Sequence, residues 1–162
     1  MISSQEINKR LLEHEGYRRF PYRCTANKLT IGIGRNIEDC PFTPEELALV
    51  GENYMTEGIS EDVAFKLLEK DIDKFTHQLE KNIPFFNKLD DERQYCLLDM
   101  IFNMGLGNKC KGLLSFKNML KNLELGNYKQ AAQECLNSKY GRELPIRSKR
   151  IANTIETGVF KW

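Results

Sequence analysis

Strand-like alternation is confined to one stretch, residues 17–35, so any sheet in this chain is small and sits near its start. Tyr17, Phe20 and Tyr22, then Leu29, Ile31 and Ile33, alternate about a polar turn at Thr25–Lys28. Gly32 and Gly34 interrupt the second run, and a missing side chain there marks close approach of another chain segment or a ligand. Helix signals occupy the rest. Ser3 and Glu6 form a capping box ahead of an apolar face of Ile7, Leu11 and Leu12, and Gly16 stops the helix. Thr43 and Glu46 form a second box, with Pro44 at the first helical position, and open a short helix through Leu47 and Val50. Ser60 caps a longer helix reaching about Asn82, with Glu61 and Asp62 at its positive end. About twenty helical residues span about 30 Å, enough to connect two lobes. Residues 91–104 read as a helix apolar almost all round, hence central and buried, with Asp99 as a charge set between Leu98 and Met100. Ser115, Asn127 and Pro145 start three shorter helices that end near Leu123, Leu136 and Ile155.

The expected architecture is therefore α+β and mainly helical, one domain over 1–162. A small α+β lobe covers about 17–59, a connecting helix about 60–82 and a helical lobe about 83–162. The first helix, 3–15, could pack on either lobe.

Charge and cysteine usage exclude several function classes. The chain carries 24 basic and 23 acidic residues, a net charge of +1. A strongly basic nucleic-acid binder is not expected at that balance. The run Arg142, Arg147, Lys149 and Arg150 comes without an aromatic stacking series, so no nucleic-acid partner is assigned to it. The longest apolar run is four residues, Leu47–Val50, too short for a membrane span. The charged start, with Glu6, Lys9, Arg10 and Glu13, lacks the apolar core of a signal peptide, and a cytoplasmic location before any release is the expectation. Five scattered cysteines without a CxxC pair, and only two histidines, predict neither a metal site nor a disulfide framework. Most of these cysteines read as small buried hydrophobes.

Cys24 stands apart because of its neighbours. Glu15 falls at the carboxyl end of the first helix, where the helix dipole disfavours an ionised carboxylate and so favours a general acid. Cys24 follows across the hairpin and then Thr30, whose hydroxyl can hold a water. All three can face one cleft. Taken singly, each also reads as an ordinary residue: a solvated glutamate, an inert cysteine, a strand threonine.

The pattern E-x8-C-x5-T, followed at once by Ile31-Gly32-Ile33-Gly34, resembles the phage-type lysozymes of glycoside hydrolase family 24. Further matching strings run on in order: Phe102-Asn103-Met104-Gly105, Tyr128 before Ala131-Ala132, Pro145 with Arg147–Arg150, and Thr157-Gly158. The resemblance implies a two-lobed lysozyme-like fold and a muramidase. Such an enzyme cleaves the β-1,4 bond between N-acetylmuramic acid and N-acetylglucosamine in bacterial peptidoglycan, without metal or cofactor. It further implies an endolysin that lyses its host cell, a monomer that does not insert into membranes and depends on a separate holin for release. Glu15 would protonate the leaving oxygen, Cys24 would orient or activate water, and Thr30 would help hold it. Many members carry aspartate where Cys24 stands. A free cysteine, with pKa near about 8.5, is mostly thiol at neutral pH.

The remaining candidates carry two readings each. Asn36 hydrogen-bonds a sugar or shapes a turn. Phe102 lines the sugar cleft or belongs to the core. Arg147 approaches Glu15, as the resemblance favours, or lies in solvent. Arg35 is expected to pair with Asp71 on the long helix, and Asp99 with Arg150 in preference to Arg147 or His14. The alternative function is a catalytically impaired peptidoglycan-binding or interaction module on the same fold.

Overall fold

The computed structural model describes residues 1–162. Nine α-helices and one three-stranded antiparallel sheet make up the chain, which divides into two compact units. One unit is Ser3–Lys74; the other is Phe75–Trp162 with Met1–Ile2.

The first unit begins with α1 (Ser4–Glu15). The Ser3 hydroxyl accepts from the Glu6 N–H at 3.2 Å, but only half of the expected capping box forms. Glu6 turns its carboxylate to the Nε–H of Arg10 at 2.8 Å instead, because Arg10 is buried and a buried guanidinium needs an anion. The sheet follows as β1 (Arg18–Arg23), β2 (Leu29–Gly32) and β3 (Arg35–Asn36), in that spatial order. Tyr22 pairs with Thr30 and Arg18 with Gly32, so β1 carries extra residues between these pairs and bulges. Gly32 is needed for packing: a β-carbon there would stand 3.1 Å from Ile59 Cδ1 and 3.4 Å from Ala64 Cβ.

Two helices, α2 (Pro44–Val50) and α3 (Tyr54–Glu57), lead to α4 (Glu61–Asn82). The Thr43–Glu46 capping box forms in full, and Ser60 accepts from the Val63 N–H at 3.2 Å. Residues of α4 up to Lys74 belong to the first unit and the rest to the second. No helix is long and apolar enough to cross a membrane.

The second unit is built on α5 (Asp91–Met104), whose residues Arg93–Ile101 are all buried. Around it come α6 (Lys117–Glu124), α7 (Tyr128–Leu136), α8 (Lys139–Glu143) and α9 (Pro145–Thr157), with α9 packed on α5, α7 and α8. Two local expectations are corrected. Ser115 lies in a 3-10 turn and donates its hydroxyl to the Gly112 carbonyl, so α6 starts two residues later. The Asn127 amide donates to Asn122 and does not cap α7. The short helices α3 and α8 have no apolar period long enough to announce them.

Asp99, wholly buried in α5, accepts from Arg147 Nε at 2.8 Å and from the Tyr95 hydroxyl at 2.8 Å. Arg147, one of the cations weighed for it, thus holds Asp99, while the Arg150 guanidinium lies 4.9 Å from the centre of the Trp162 ring. Burial first, then the Asp99 charge, pushes the Cys135 thiol up to about 12 and Cys96 well above its ordinary range. Those two behave as apolar fillers, as expected, whereas Cys110 is exposed.

Candidate active site

Glu15 is the last residue of α1, and Gly16, at φ +73°, turns the chain into β1. The Glu15 side chain lies directly on Gly34. A β-carbon on Gly34 would stand 2.9 Å from Glu15 Oε2 and 3.0 Å from Cγ and Cδ, and its φ of +69° is one that side-chain-bearing residues avoid. The second glycine of Ile31-Gly32-Ile33-Gly34 is therefore the floor beneath the carboxyl group.

Cys24 follows β1 immediately and opens the hairpin turn. Its N–H donates to the Lys28 carbonyl at 3.0 Å, and its carbonyl accepts from Asn27 N–H at 2.8 Å. Asn27 adopts φ +58°, a conformation asparagine tolerates better than most residues. Cys24 is half-buried and a free thiol. Thr30, on β2 between Tyr22 and Asn36, is buried and donates its hydroxyl to the Lys28 carbonyl at 2.9 Å. That bond fixes the hydroxyl proton and leaves the oxygen lone pairs to accept from a water.

Tyr22 belongs with these residues, although its sequence position drew attention only as a strand residue. Burial raises its phenol pKa most; the charges of Glu15 and Cys24 raise it further, against the Arg18 guanidinium. Arg18 lies 4.3 Å from the centre of the Tyr22 ring. The phenol thus sits neutral in the field of both Glu15 and Cys24. The signal that could have found it is the strand period, which sets Tyr22 opposite Thr30 and two residues before Cys24.

On β3, Arg35 meets two carboxylates. Its Nη2 lies 3.4 Å from Asp71 Oδ1, the contact expected, and 2.6 Å from Glu46 Oε2, which also accepts from Nη1 at 2.9 Å. All three side chains are buried, not exposed as a surface pair would be. Glu46, a helix cap by sequence, does both: Oε1 holds the Thr43 N–H at 3.0 Å while Oε2 holds Arg35. One guanidinium cannot neutralise two buried anions, and Glu46 is the closer. Burial outweighs the pull of Arg35 at Asp71, and the Glu46 charge adds to it, so the Asp71 carboxyl is pushed up to about 6. The folded chain therefore keeps this proton up to about pH 6, whereas the unfolded chain releases it near about pH 4. Between these values the folded state binds more protons, so stability falls as pH rises through the window. Thermal melts of wild type and Asp71→Asn across pH 4–7 should show this fall in wild type and a flatter profile in the variant. Parallel profiles would mean that Asp71 does not titrate in that window.

The other candidates are placed as follows. Asn36 uses both amide groups within its own turn, donating to Asp39 Oδ2 at 2.9 Å and accepting from Asp39 N–H at 3.0 Å. Phe102, in α5 of the second unit, is half-buried and meets Phe75 edge-on at 4.8 Å between ring centres. Arg147, in the same unit, is engaged by Asp99, through Nε as above and through Nη2 to the Asp99 carbonyl at 3.2 Å. No three His, Cys, Asp or Glu side chains stand in a metal-binding arrangement.

The sequence profile described as phage lysozyme matches residues 12–152. Probable T4-type lysozyme 1 of Dictyostelium discoideum is 30% identical, with 98% of this chain and 96% of that protein covered. Probable T4-type lysozyme 2 of the same organism is 32% identical, covering 99% of this chain and 98% of that protein.

Proposed function

The chain belongs to the phage lysozyme family, and from that premise we propose that it is a muramidase. Its substrate is the glycan of bacterial peptidoglycan, and the bond it hydrolyses is the β-1,4 link from N-acetylmuramic acid to N-acetylglucosamine. The observation that carries this reading is the seating of Glu15 on Gly34, beside the hairpin that holds Cys24 and Thr30. Glu15, as general acid, protonates the glycosidic oxygen as the bond to the muramic acid anomeric carbon breaks. Water, hydrogen-bonded to Thr30 Oγ1 and oriented by the Cys24 sulfur, adds to that carbon and releases its proton to solvent, from which Glu15 is reprotonated. Tyr22 stays neutral in the field of both Glu15 and Cys24 and so adds no charge to the site. Cutting this mesh leaves a bacterial cell to burst, which is the lytic step an endolysin supplies.

The test is incubation of the full chain with purified peptidoglycan, following turbidity and new reducing ends. New muramic acid reducing ends support the proposal. Binding that pellets with the wall, without such ends, would instead support a non-catalytic wall-binding module.

The cysteine supplies a second, independent check. A thiol-modifying reagent should inhibit the wild type, because it blocks the water position. Cys24→Asp should stay active and lose that sensitivity, since it keeps an acceptor in place and removes the thiol. The exposed Cys110 and half-buried Cys40 remain in the variant and so control for modification elsewhere. A folded but inactive Cys24→Asp would remove Cys24 from the mechanism.

A further inference from the structure

Cys40 and Lys74 take no part in the chemistry above and lie outside the core. Cys40 ends the turn after β3, its N–H donating to the Asn36 carbonyl at 3.0 Å. Lys74 stands on α4, one turn after Asp71 and within the same unit as Cys40. Lys74 Nζ and Cys40 Sγ are 2.7 Å apart. An ordinary N–H···O bond separates its heavy atoms by about 2.9 Å, and sulfur is larger than oxygen. The two atoms are therefore nearer than an ammonium and a thiol normally approach. Their separation suits a nitrogen and a sulfur that share one bridging oxygen. Cys40 is half-buried and Lys74 exposed, so a small oxidant reaches both.

We propose that Cys40 and Lys74 are a redox modification site, joined by a nitrogen–oxygen–sulfur bridge when the protein meets hydrogen peroxide and released by thiols. The Cys40 thiol takes an oxygen atom from one peroxide, giving a sulfenic acid and water. Lys74, after losing its ammonium proton to solvent, forms the N–O bond to that oxygen. The amine and sulfenic acid give up two electrons and two protons, which reduce a second peroxide to two waters. In sum, thiol, amine and two peroxides yield the bridge and three waters. Four thiols reverse it, returning thiol, amine and one water and leaving two disulfides.

The bridge closes the chain between residues 40 and 74, a segment that contains both carboxylates held by Arg35. It limits the unfolded chain as a disulfide over a similar loop does, which raises Tm by on the order of 10 °C. The test treats the full chain with peroxide, digests it without reductant and reads peptide masses. The expected species joins the Cys40 and Lys74 peptides and exceeds their summed mass by one oxygen less two hydrogens. It should vanish with a thiol reductant and be absent from Cys40→Ser and Lys74→Arg, whose melting temperatures peroxide should not raise. A linked species without the oxygen, a Cys40 disulfide, unlinked oxidation of Cys40, or no modification would each overturn the proposal.

Discussion

Glu15→Gln is expected to lower peptidoglycan hydrolysis by about 10²–10⁴-fold, the range carried by a general acid. Glutamine has the same length and nearly the same shape, so it can lie on Gly34 as the glutamate does. What it lacks is a proton to give to the leaving oxygen. The variant should accordingly bind the wall and melt near the wild-type temperature while releasing almost no reducing ends. Glu15→Asp refines the test. It keeps the acid but withdraws it by one methylene from its seat, and a displacement of about 1 Å can cost about a hundredfold. Wild-type hydrolysis by Glu15→Gln would mean that another group donates the proton. Loss of activity together with a large fall in Tm would mean that the side chain serves the fold.

The largest effect on stability is expected in the second unit. Asp99→Ala or Arg147→Ala should each cost about 3–5 kcal/mol, because each leaves its former partner charged and buried. Asp99 is wholly buried and accepts from both Arg147 and Tyr95, while Arg147 also donates to the Asp99 main-chain carbonyl. For a chain of this size that loss lowers Tm by roughly 6–20 °C. Tyr95→Phe removes only one hydrogen bond to a charged group and should cost less, about 1.5–3 kcal/mol. Replacing both charges together, as Asp99→Leu with Arg147→Met, should recover much of the single-variant loss, since neither member of the pair is left buried without the other. Urea melts of the four variants decide it. Unchanged stability in the single alanine variants would show that the pair carries no net weight.

Much of this is legible in the sequence itself. The α+β class, the single hairpin, and the starts of α2, α4 and α5 follow from caps and periods, which act over three or four residues. The grouping of Glu15, Cys24 and Thr30 in one unit is local in the same sense, because one helix end and one hairpin carry all three. Local signals also misled where tertiary packing competed for the same atoms. Glu6 was free to complete its capping box until Arg10 was buried beside it. Ser115 was a plausible cap until the Gly112 carbonyl took its hydroxyl.

Sequence alone determined which residue types had to find partners; tertiary structure decided which partners they found. A carboxylate between Leu98 and Met100 in the most apolar helix requires a cation, and that much is legible at Asp99. Choosing between Arg147 and Arg150 was not, because side chains three residues apart on a helix differ by only about 60° in direction. How α9 is rotated where it packs on α5 settles such a difference, and no property of either arginine reveals it. Arg35 shows the same limit. Its pairing with Asp71 was expected, yet Glu46 comes closer, because α2 folds back with its capping residue facing the strand. Caps and periods are written in neighbouring residues. Partners across dozens of residues depend on how rigid elements are turned against each other, and that is set by packing the whole unit at once.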